Sequence, residues 1–435
     1  MGNPVFGRLI VLLSSNSVDT WRTPIETGNV THAFQPDYGR RTLTMILDDG
    51  RETPDRVYLD HNATSPIRPQ AADALREWMD TPAGNPSSLH AEGRAAMESM
   101  EHAREQIGEL AGVTGGSVVF TSGGSEAIEA AIRGVCDRAP SGMRKIVVGA
   151  VEHSAVFGAA RAFTSRRFAV EEVPCDRDGR IDADRFLSRL DRGTVLAVLQ
   201  WANNETGVLQ PVKEVGEGCR RAGVPFLVDA VQIAGKKPIG AAESFADFLA
   251  LSSHKIGGPP GAGALTVRKG IVLAPLVHGG AQEKRRRGGT PPLPAIVGFG
   301  AAARAAMDGM KQETSRLLKL RARIETQLRE VVPDIRFHGQ AANRLPNTVN
   351  FAVPGIEGEM LAIGLDMAGF AVSTGSACAS GAVEPSHVLQ AMRLTEDEAR
   401  GAIRVSLGWT NTLEDINRFL TVLPEQVNRI REARR

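Results

Sequence analysis

The sequence lacks an excess of charge of either sign. Its 435 residues include 51 Lys and Arg against 50 Asp and Glu, which leaves a formal net charge of +1. Proteins that hold nucleic acid or a membrane surface through charge usually carry a pronounced basic excess. The composition therefore gives no reason to expect a direct nucleic-acid or membrane partner.

Long apolar runs are also missing. No stretch approaches the roughly 20 apolar residues of a membrane-spanning helix. The segment RLIVLLSS, at residues 8–15, is too short for a convincing signal peptide, and no small-residue cleavage pattern follows it. We expect neither a membrane span nor a secretory leader.

Cysteine is scarce, and its spacing excludes several classes of site. The four cysteines, Cys136, Cys175, Cys219 and Cys378, are far apart and form no CxxC pair. A zinc ribbon, a protein-held iron–sulfur cluster and a disulfide framework are therefore not expected, and we predict no metal site. A reduced, cytoplasmic setting fits best.

What the chain does contain, from Val57 onward, is an alternation of short β-rich runs with helical ones. Residues 1–55 show no sustained periodicity, and we interpret them as a loosely ordered extension. Alternation predicts an α/β fold with a mostly parallel sheet covered by helices. The predicted strands are 117–121, 145–149, 168–173, 194–200, 224–230, 248–252 and 263–268, with helices at 88–111, 125–135 and 212–222.

The last part of the chain has a different pattern. A long amphipathic helix at 312–332 is followed by strands at 347–353 and 403–407, and a closing helix starts at Thr412 with Asp415 completing a capping box. We expect a large domain over 56–305 and a smaller α+β domain over 306–435. The first dozen or so residues of the large domain are expected to pack on the small one.

The first candidate binding site is a strand–turn–helix stretch, VVFTSGGSEAIEAAI. The N–H groups of Gly124, Ser125 and Glu126 at the predicted helix start could hold an anion such as a phosphate. Many strand–helix turns look alike, however, and Glu126 could equally serve the helix dipole.

A carboxylate and an amine follow two neighbouring apolar strands. Asp229 ends the strand in FLVDA, and Lys255 lies 26 positions later, just past FLALS. An Asp that holds a pyridinium proton, a Lys that forms a Schiff base and a phosphate cradle are together what pyridoxal phosphate requires. Asp229 could instead cap a helix or form a salt bridge, because a buried carboxylate needs some partner.

One cysteine stands in an unusual setting. Cys378 lies in VSTGSACASGA, whose small residues are typical of a mobile or closely approached loop rather than of an apolar core. From this stretch alone, Cys378 is either a reduced spectator thiol or a functional one.

A series of motifs runs in order from Tyr58 to Gly408: YLDHNATSP, GNPSSLHAEGR, FTSGGSEA, VEHSAV, ANNETGVLQPV, VDAVQIAGKKPI, SSHKIGGPPGAGAL, GGAQEKRRRGGT, LPNTVNF, STGSACASGAVEPSHVL and IRVSLG. Together they resemble the cysteine desulfurases, pyridoxal-phosphate enzymes of fold type I in aminotransferase class V. The resemblance implies a mostly parallel seven-stranded sheet and a smaller α+β C-terminal domain. The short TGSAC loop resembles the subgroup tied to iron–sulfur cluster assembly and tRNA thiolation.

The resemblance implies pyridoxal 5′-phosphate as the cofactor. Lys255 would form the Schiff base and shuttle protons, Asp229 would keep the ring nitrogen protonated, and His153 would stack on the ring. Asn204 and Gln232 would bond the phenolic oxygen. Asn204 could instead only cap a turn in NNETG, and His153 could be an ordinary buried histidine.

The phosphate would be bound by residues from three motifs. Gly124, Ser125, Ser252 and His254 would contact it within one chain, and Thr290 would reach it from the second subunit of a homodimer.

The implied reaction converts L-cysteine to L-alanine. Asn62 and Arg404 would take the substrate carboxylate, Arg404 in a bidentate pair. Cys378 would attack the substrate sulfur, become a persulfide and pass the sulfur to a protein acceptor, either an iron–sulfur scaffold or a tRNA-thiolation protein. The chain would then be a sulfurtransferase.

Two other functions remain open at this stage. An aminotransferase of class V or a selenocysteine lyase would use the same fold, and an aminotransferase would not need Cys378. A catalytically silent scaffold would need none of Lys255, Asp229 and Cys378, whose joint presence speaks against it.

Overall fold

The computed structural model describes residues 10–11, 45–46, 56–81, 84–374 and 385–434. The expected extension over 1–55 lies outside these residues except for two short strands, which pair antiparallel. The loop that carries Cys378 also lies outside the described residues.

The strands are numbered along the chain. They are β1 (Ile10–Val11), β2 (Met45–Ile46), β3 (Val57–Tyr58), β4 (Val118–Thr121), β5 (Lys145–Gly149), β6 (Ala169–Val173), β7 (Thr194–Gln200), β8 (Phe226–Asp229), β9 (Phe248–Ser252), β10 (Gly263–Val267), β11 (Arg336–Phe337), β12 (Thr348–Ala352), β13 (Phe370–Ala371), β14 (Ser373–Thr374) and β15 (Ala402–Ser406).

The α-helices follow the same order. They are α1 (Pro69–Asp80), α2 (Ala91–Ala111), α3 (Gly124–Cys136), α4 (Ser154–Arg161), α5 (Ala183–Leu187), α6 (Val212–Ala222), α7 (Leu293–Val331), α8 (Gly358–Met367), α9 (His387–Ala391), α10 (Glu396–Arg400) and α11 (Leu413–Ala433).

A seven-stranded sheet forms the centre of the larger part, in the order β4-β10-β9-β8-β7-β5-β6. Only β10 runs antiparallel to its neighbours. Its inner strands are buried along their whole length, which explains why they read as continuous apolar runs rather than alternating ones. The seven strand segments predicted from the sequence and the α/β class are confirmed.

The register of the sheet brings the polar strand ends together. Gln200 at the end of β7 is aligned with Asp229 at the end of β8, and Asp229 is aligned with Ala250 of β9. Since these three strands are parallel, Lys255, just after β9, emerges beside Asp229. Ligands of open α/β sheets bind at this carboxyl edge.

A second sheet, in the order β11-β12-β15-β14, is antiparallel throughout and packs over its own apolar core. Val57 and Leu59, at the start of the main described segment, belong to this core, because β3 pairs in parallel with β13. The start of the main described segment therefore packs with elements from the C-terminal part of the chain.

The longest helix connects the two cores. The sequence predicted a helix from residue 312, but α7 begins at Leu293. Its first half contributes Phe299 and Ala303 to the core of the large sheet, and its second half contributes Leu320 and Ile324 to the second core. The division at residue 305 stays a prediction, since α7 runs continuously through that position.

The closing helix starts as expected. The Thr412 hydroxyl accepts a hydrogen bond from the Asp415 N–H, and the Asp415 carboxylate accepts one from the Thr412 N–H. This reciprocal pair satisfies two N–H groups that the helix itself cannot.

Candidate functional site

A cavity of about 260 Å³ opens at the carboxyl edge of the large sheet. It collects most of the residues that the sequence analysis singled out for a cofactor: Gly124, Ser125, His153, Asn204, Asp229, Gln232, Ser252, His254 and Lys255. Gln200 and Val231 also line it and were not predicted. Asn62, Arg404 and Thr290 are not among the lining residues.

One end of the cavity is formed by the first turn of α3. A Cβ atom at Gly124 would lie 2.7 Å from Cγ2 of Val231, so only glycine lets the helix start this close to the loop after β8. Ser252 faces the same end, and its hydroxyl is buried without a hydrogen-bond partner in the described residues. Helix N–H groups and an unpartnered hydroxyl together make an anion site.

Glu126 stabilises the start of α3, which is the alternative role that the sequence analysis left open for it. Its carboxylate accepts hydrogen bonds from the Ser122 N–H at 2.8 Å and from Nε of Arg287 at 3.0 Å. Burial alone would raise the pKa of Glu126, but these bonds outweigh it and the pKa is lowered. Glu126 therefore serves the start of α3 and does not line the cavity.

His254, at the same end, keeps an uncharged ring. Its Nδ1 lies 3.1 Å from the Thr64 hydroxyl. Burial, with a smaller effect of Lys255, lowers the pKa of His254 to about 4.

Asp229 is a buried carboxyl with little compensation from the protein. Its Oδ1 accepts one hydrogen bond, from the Val231 N–H at 2.9 Å. Burial raises the pKa of Asp229, and the Val231 hydrogen bond, followed by the charges of His153 and Lys255, opposes this only in part. No salt bridge to Asp229 occurs among the described residues, so the salt-bridge alternative is not realised there. Such a group is satisfied by a cationic N–H placed in the cavity.

His153 caps α4 while its ring lines the cavity. Its Nδ1 accepts a hydrogen bond from the Ala155 N–H at 3.1 Å. Burial lowers the pKa of His153, and Asp229 opposes the shift. In the neutral ring the proton must therefore be on Nε2.

The Lys255 amine is held at the cavity by two backbone carbonyls. It donates to Asn62 at 2.6 Å and to Ala63 at 2.7 Å. Burial, followed by the charge of Arg404, lowers the pKa of Lys255 to about 8, although Asp229 and Asp60 oppose the shift. The amine can thus lose its proton near neutral pH.

The turn after β7 separates the roles of two adjacent asparagines. The Asn203 side chain accepts from the N–H groups of Glu205 and Thr206, each at 2.9 Å, and so closes the turn. The neighbouring Asn204 side chain lines the cavity instead. The capping role considered for Asn204 belongs to Asn203.

Arg404 lies on β15, with its side chain 8% exposed. Its Nη2 donates to Asp60 at 2.6 Å, and Nη1 donates to the carbonyl oxygen of Asn204 at 3.1 Å. Nε is buried without a partner among the described residues. Asp60 therefore neutralises the buried charge, and the Nε donor is left without a partner in the described residues.

The Asn62 side chain contacts the same Asn204 carbonyl oxygen, and both of its amide atoms are already hydrogen-bonded within the protein. Its Nδ2 donates to the Asn204 carbonyl at 3.0 Å and to the Thr348 hydroxyl at 2.9 Å. Its Oδ1 accepts from Asn347 at 3.0 Å. A substrate carboxylate would have to replace one of these partners to bind the Asn62 amide.

The sequence analysis missed Lys236. Its amine donates to both the backbone and the side-chain oxygen of Gln232, each at 3.0 Å. The only sequence signal is a lysine four residues after Gln232 in QIAGKK, and that spacing indicates a contact only if the segment winds like a helical turn.

The remaining predicted residues fall outside the cavity or outside the described chain. Thr290 is exposed, and Cys378 lies beyond the described residues. The other three cysteines are buried, and burial raises the pKa of Cys136 to about 12, of Cys175 to about 11 and of Cys219 to about 12. Thiols with such pKa values are poor nucleophiles at neutral pH.

Among the described residues, no helix combines the length and the apolar character needed to cross a membrane.

Comparison with known proteins identifies the family. Residues 57–419 match the family model of class-V aminotransferases. A cysteine desulfurase of Cereibacter sphaeroides is 43% identical over 379 residues, which cover 87% of this chain and 97% of that protein.

Two solved structures share the fold. A NifS-like protein has a TM-score of 0.80 at 32% identity and covers 86% of this chain and 99% of its own. SspA in complex with cysteine has a TM-score of 0.72 at 30% identity, covering 80% of this chain and 98% of its own. The chain belongs to the cysteine desulfurase family within the class-V aminotransferases.

Proposed function

We propose that this chain is a pyridoxal 5′-phosphate-dependent cysteine desulfurase. It would convert L-cysteine to L-alanine and retain the sulfur as a persulfide on Cys378. The observation that carries the proposal is the convergence of Asp229, His153, Lys255 and Ser252 on one cavity. A relative solved with cysteine bound supports the substrate.

The cavity suits the cofactor at both ends. The unpartnered Ser252 hydroxyl and the first turn of α3 suit its phosphate, and the buried Asp229 carboxyl suits its protonated ring nitrogen. His153 would lie against the ring. When bound, the cofactor draws electrons away from Cα of the amino acid.

Lys255 would hold the cofactor and then move protons. Its pKa of about 8 lets its amine accept the proton from Cα of the substrate near neutral pH and then donate it to another atom. Asp229 would keep the ring nitrogen protonated throughout, because a neutral ring would accept electrons less readily.

The substrate carboxylate would bind at Arg404. The leftover Nε donor of Arg404 supports this role, as does the position of Arg404 beside the Asn204 turn. Asn62 would contribute by exchanging one of its present partners, and its carbonyl already holds the Lys255 amine.

The sulfur step would use Cys378. Its thiolate would attack Sγ of the substrate, forming an S–S bond while the C–S bond breaks and its electron pair returns to carbon. Protonation of that carbon yields alanine, so L-cysteine and the thiol become L-alanine and a persulfide. A protein acceptor, serving iron–sulfur cluster assembly or tRNA thiolation, would then take the sulfur.

The assembly we propose is a homodimer in the cytoplasm. Arg287 ties the segment RRRGGT to the start of α3, next to the proposed phosphate site. Thr290 at the end of this segment would complete the phosphate site of the other subunit.

The test compares Cys378→Ser with Cys175→Ala, which removes a buried thiol remote from the proposed chemistry. Cys378→Ser should bind cofactor and cysteine with a normal absorbance change but release alanine several orders of magnitude more slowly, since a hydroxyl is a poor nucleophile toward sulfur. Cys175→Ala should release alanine at close to the wild-type rate. Substantial alanine from Cys378→Ser would favour a lyase that needs no protein thiol.

A further inference from the structure

Lys236 is a half-buried lysine with an unusual partner set. Its amine donates to two oxygens of a single residue, the carbonyl and Oε1 of Gln232. Within the part of the chain that the structure describes, no carboxylate pairs with it. The two charges that shift its pKa, those of Lys255 and Arg404, are both positive. A lysine in this setting is not there to form an ion pair.

The contact fixes which way the Gln232 amide faces. A charged lysine amine can only donate, so beside it the amide atom must be oxygen. The other amide atom lies 2.9 Å from the carbonyl oxygen of Asn62, which can only accept, so it must be the NH₂ group. Both neighbours therefore impose the same orientation.

This orientation of the Gln232 amide determines which of its atoms can bond to a ligand in the cavity. Gln232 lines it, and only one of its two NH₂ protons is taken by Asn62. The carbonyl oxygen of Asn62 is also the acceptor of the Lys255 amine. Lys236, Gln232, Asn62 and Lys255 thus form one continuous hydrogen-bonded chain along the wall of the site.

We propose that Lys236 is a positioning residue that locks the Gln232 amide as a hydrogen-bond donor toward the cofactor's phenolic oxygen. The proposal rests on the cofactor assigned above. Burial, together with Lys255 and Arg404, lowers the pKa of Lys236 to about 7, so the lock is strongest below that pH, where the amine is charged and can only donate. Thr314 of α7 anchors the backbone of Lys236 at 2.8 Å and so holds the lysine in place.

The first test is Lys236→Met with Lys237→Met as the matched control. Methionine keeps most of the length of the side chain but cannot donate, and in the described residues no hydrogen bond joins Lys237 to Gln232. Without the lock, the phenolic oxygen loses a donor and holds its proton more tightly. The pH at which the bound cofactor changes its visible absorbance should rise by about one to two units in Lys236→Met, the size of one hydrogen bond to a charged group. Equal profiles for the two variants would refute the proposal.

A double-mutant cycle distinguishes positioning from a direct effect. If Lys236 acts through Gln232, Lys236→Met should cause no further shift in a Gln232→Ala background. A full shift in that background would show that Lys236 acts on the cofactor by itself, against the proposal.

Crystal structures without cofactor give an independent readout. In Lys236→Met the contact between Nε2 of Gln232 and the Asn62 carbonyl should lengthen beyond hydrogen-bond distance or break, whereas Lys237→Met should keep it. An unchanged contact would overturn the proposal. If wild-type protein binds no cofactor, the proposed function fails, and these structures still decide the role of Lys236.

Discussion

Ser252→Ala is expected to weaken cofactor binding without lowering the stability of the folded protein. In the described residues the Ser252 hydroxyl is buried and has no partner. A buried unpaired polar group costs the folded state about 1–3 kcal/mol. Removing it should leave the free energy of unfolding of the cofactor-free protein unchanged or slightly higher.

The substitution should reduce binding only of a ligand that carries the phosphate. A hydrogen bond to a charged group contributes about 1.5–3 kcal/mol, which corresponds to a rise of about 10- to 150-fold in the dissociation constant. Equilibrium dialysis against pyridoxal 5′-phosphate measures this. Binding of pyridoxal, which has no phosphate, should be the same in both proteins.

Ser253→Ala is a matched control, because the Ser253 hydroxyl is also buried and unpartnered among the described residues but does not line the cavity. It should reproduce the effect on unfolding and leave the dissociation constant unchanged. The reasoning is refuted if both variants bind the cofactor equally well, or if Ser252→Ala destabilises the cofactor-free protein by more than about 1 kcal/mol.

Two further outcomes are expected. Lys255→Ala should abolish turnover and the cofactor's characteristic absorbance, because no other lysine lines the cavity of the described chain; a normal spectrum would contradict the role of Lys255. Sedimentation at micromolar concentration should give a dimer, and Thr290→Val should lower cofactor affinity if Thr290 completes the partner's phosphate site; a monomer with full cofactor occupancy would exclude that contribution.

The strands and their polar ends could be predicted from the sequence because each end is a local signal. A buried parallel strand is an apolar run, and its first polar residue marks the sheet edge, as Asp229 does after FLV and Ser252 after FLAL. Once these ends are aligned, most of the cavity follows from the order of the strands.

The start of α7 could not be predicted, because its first half reads as a poor helix. It contains Gly298 and Gly300, which have low helix propensity. Packing overrides that propensity: a Cβ at Gly300 would lie 2.7 Å from Cα of Ala103 in α2. Glycine is placed there to allow close contact between helices, and a periodicity search cannot detect such a contact.

The pairing of Arg404 with Asp60 was equally beyond sequence reasoning. The two residues are 344 positions apart, and nothing in either segment indicates the other. The sequence analysis assigned Arg404 to the substrate carboxylate, and only the fold shows that it also has a protein partner and an unpartnered Nε.

The pairing of β3 with β13 has a consequence for synthesis of the protein. Phe370 follows its partner Val57 by 313 residues (370 − 57). At ribosomal rates of about 5–20 residues per second, β3 waits roughly 15 to 60 s for its partner strand. During that time the core that Val57 and Leu59 enter is incomplete, because β13 and the elements that follow it have not been made.

The same delay affects the candidate site. Asn62 and Ala63, whose carbonyls accept hydrogen bonds from the Lys255 amine, directly follow β3. The large sheet is synthesised by residue 267, yet this wall of the site is fixed only when the last third of the chain has emerged. The cofactor would therefore be loaded after translation, and a nascent chain stalled before β13 would expose β3 to chaperones rather than offer a finished binding site.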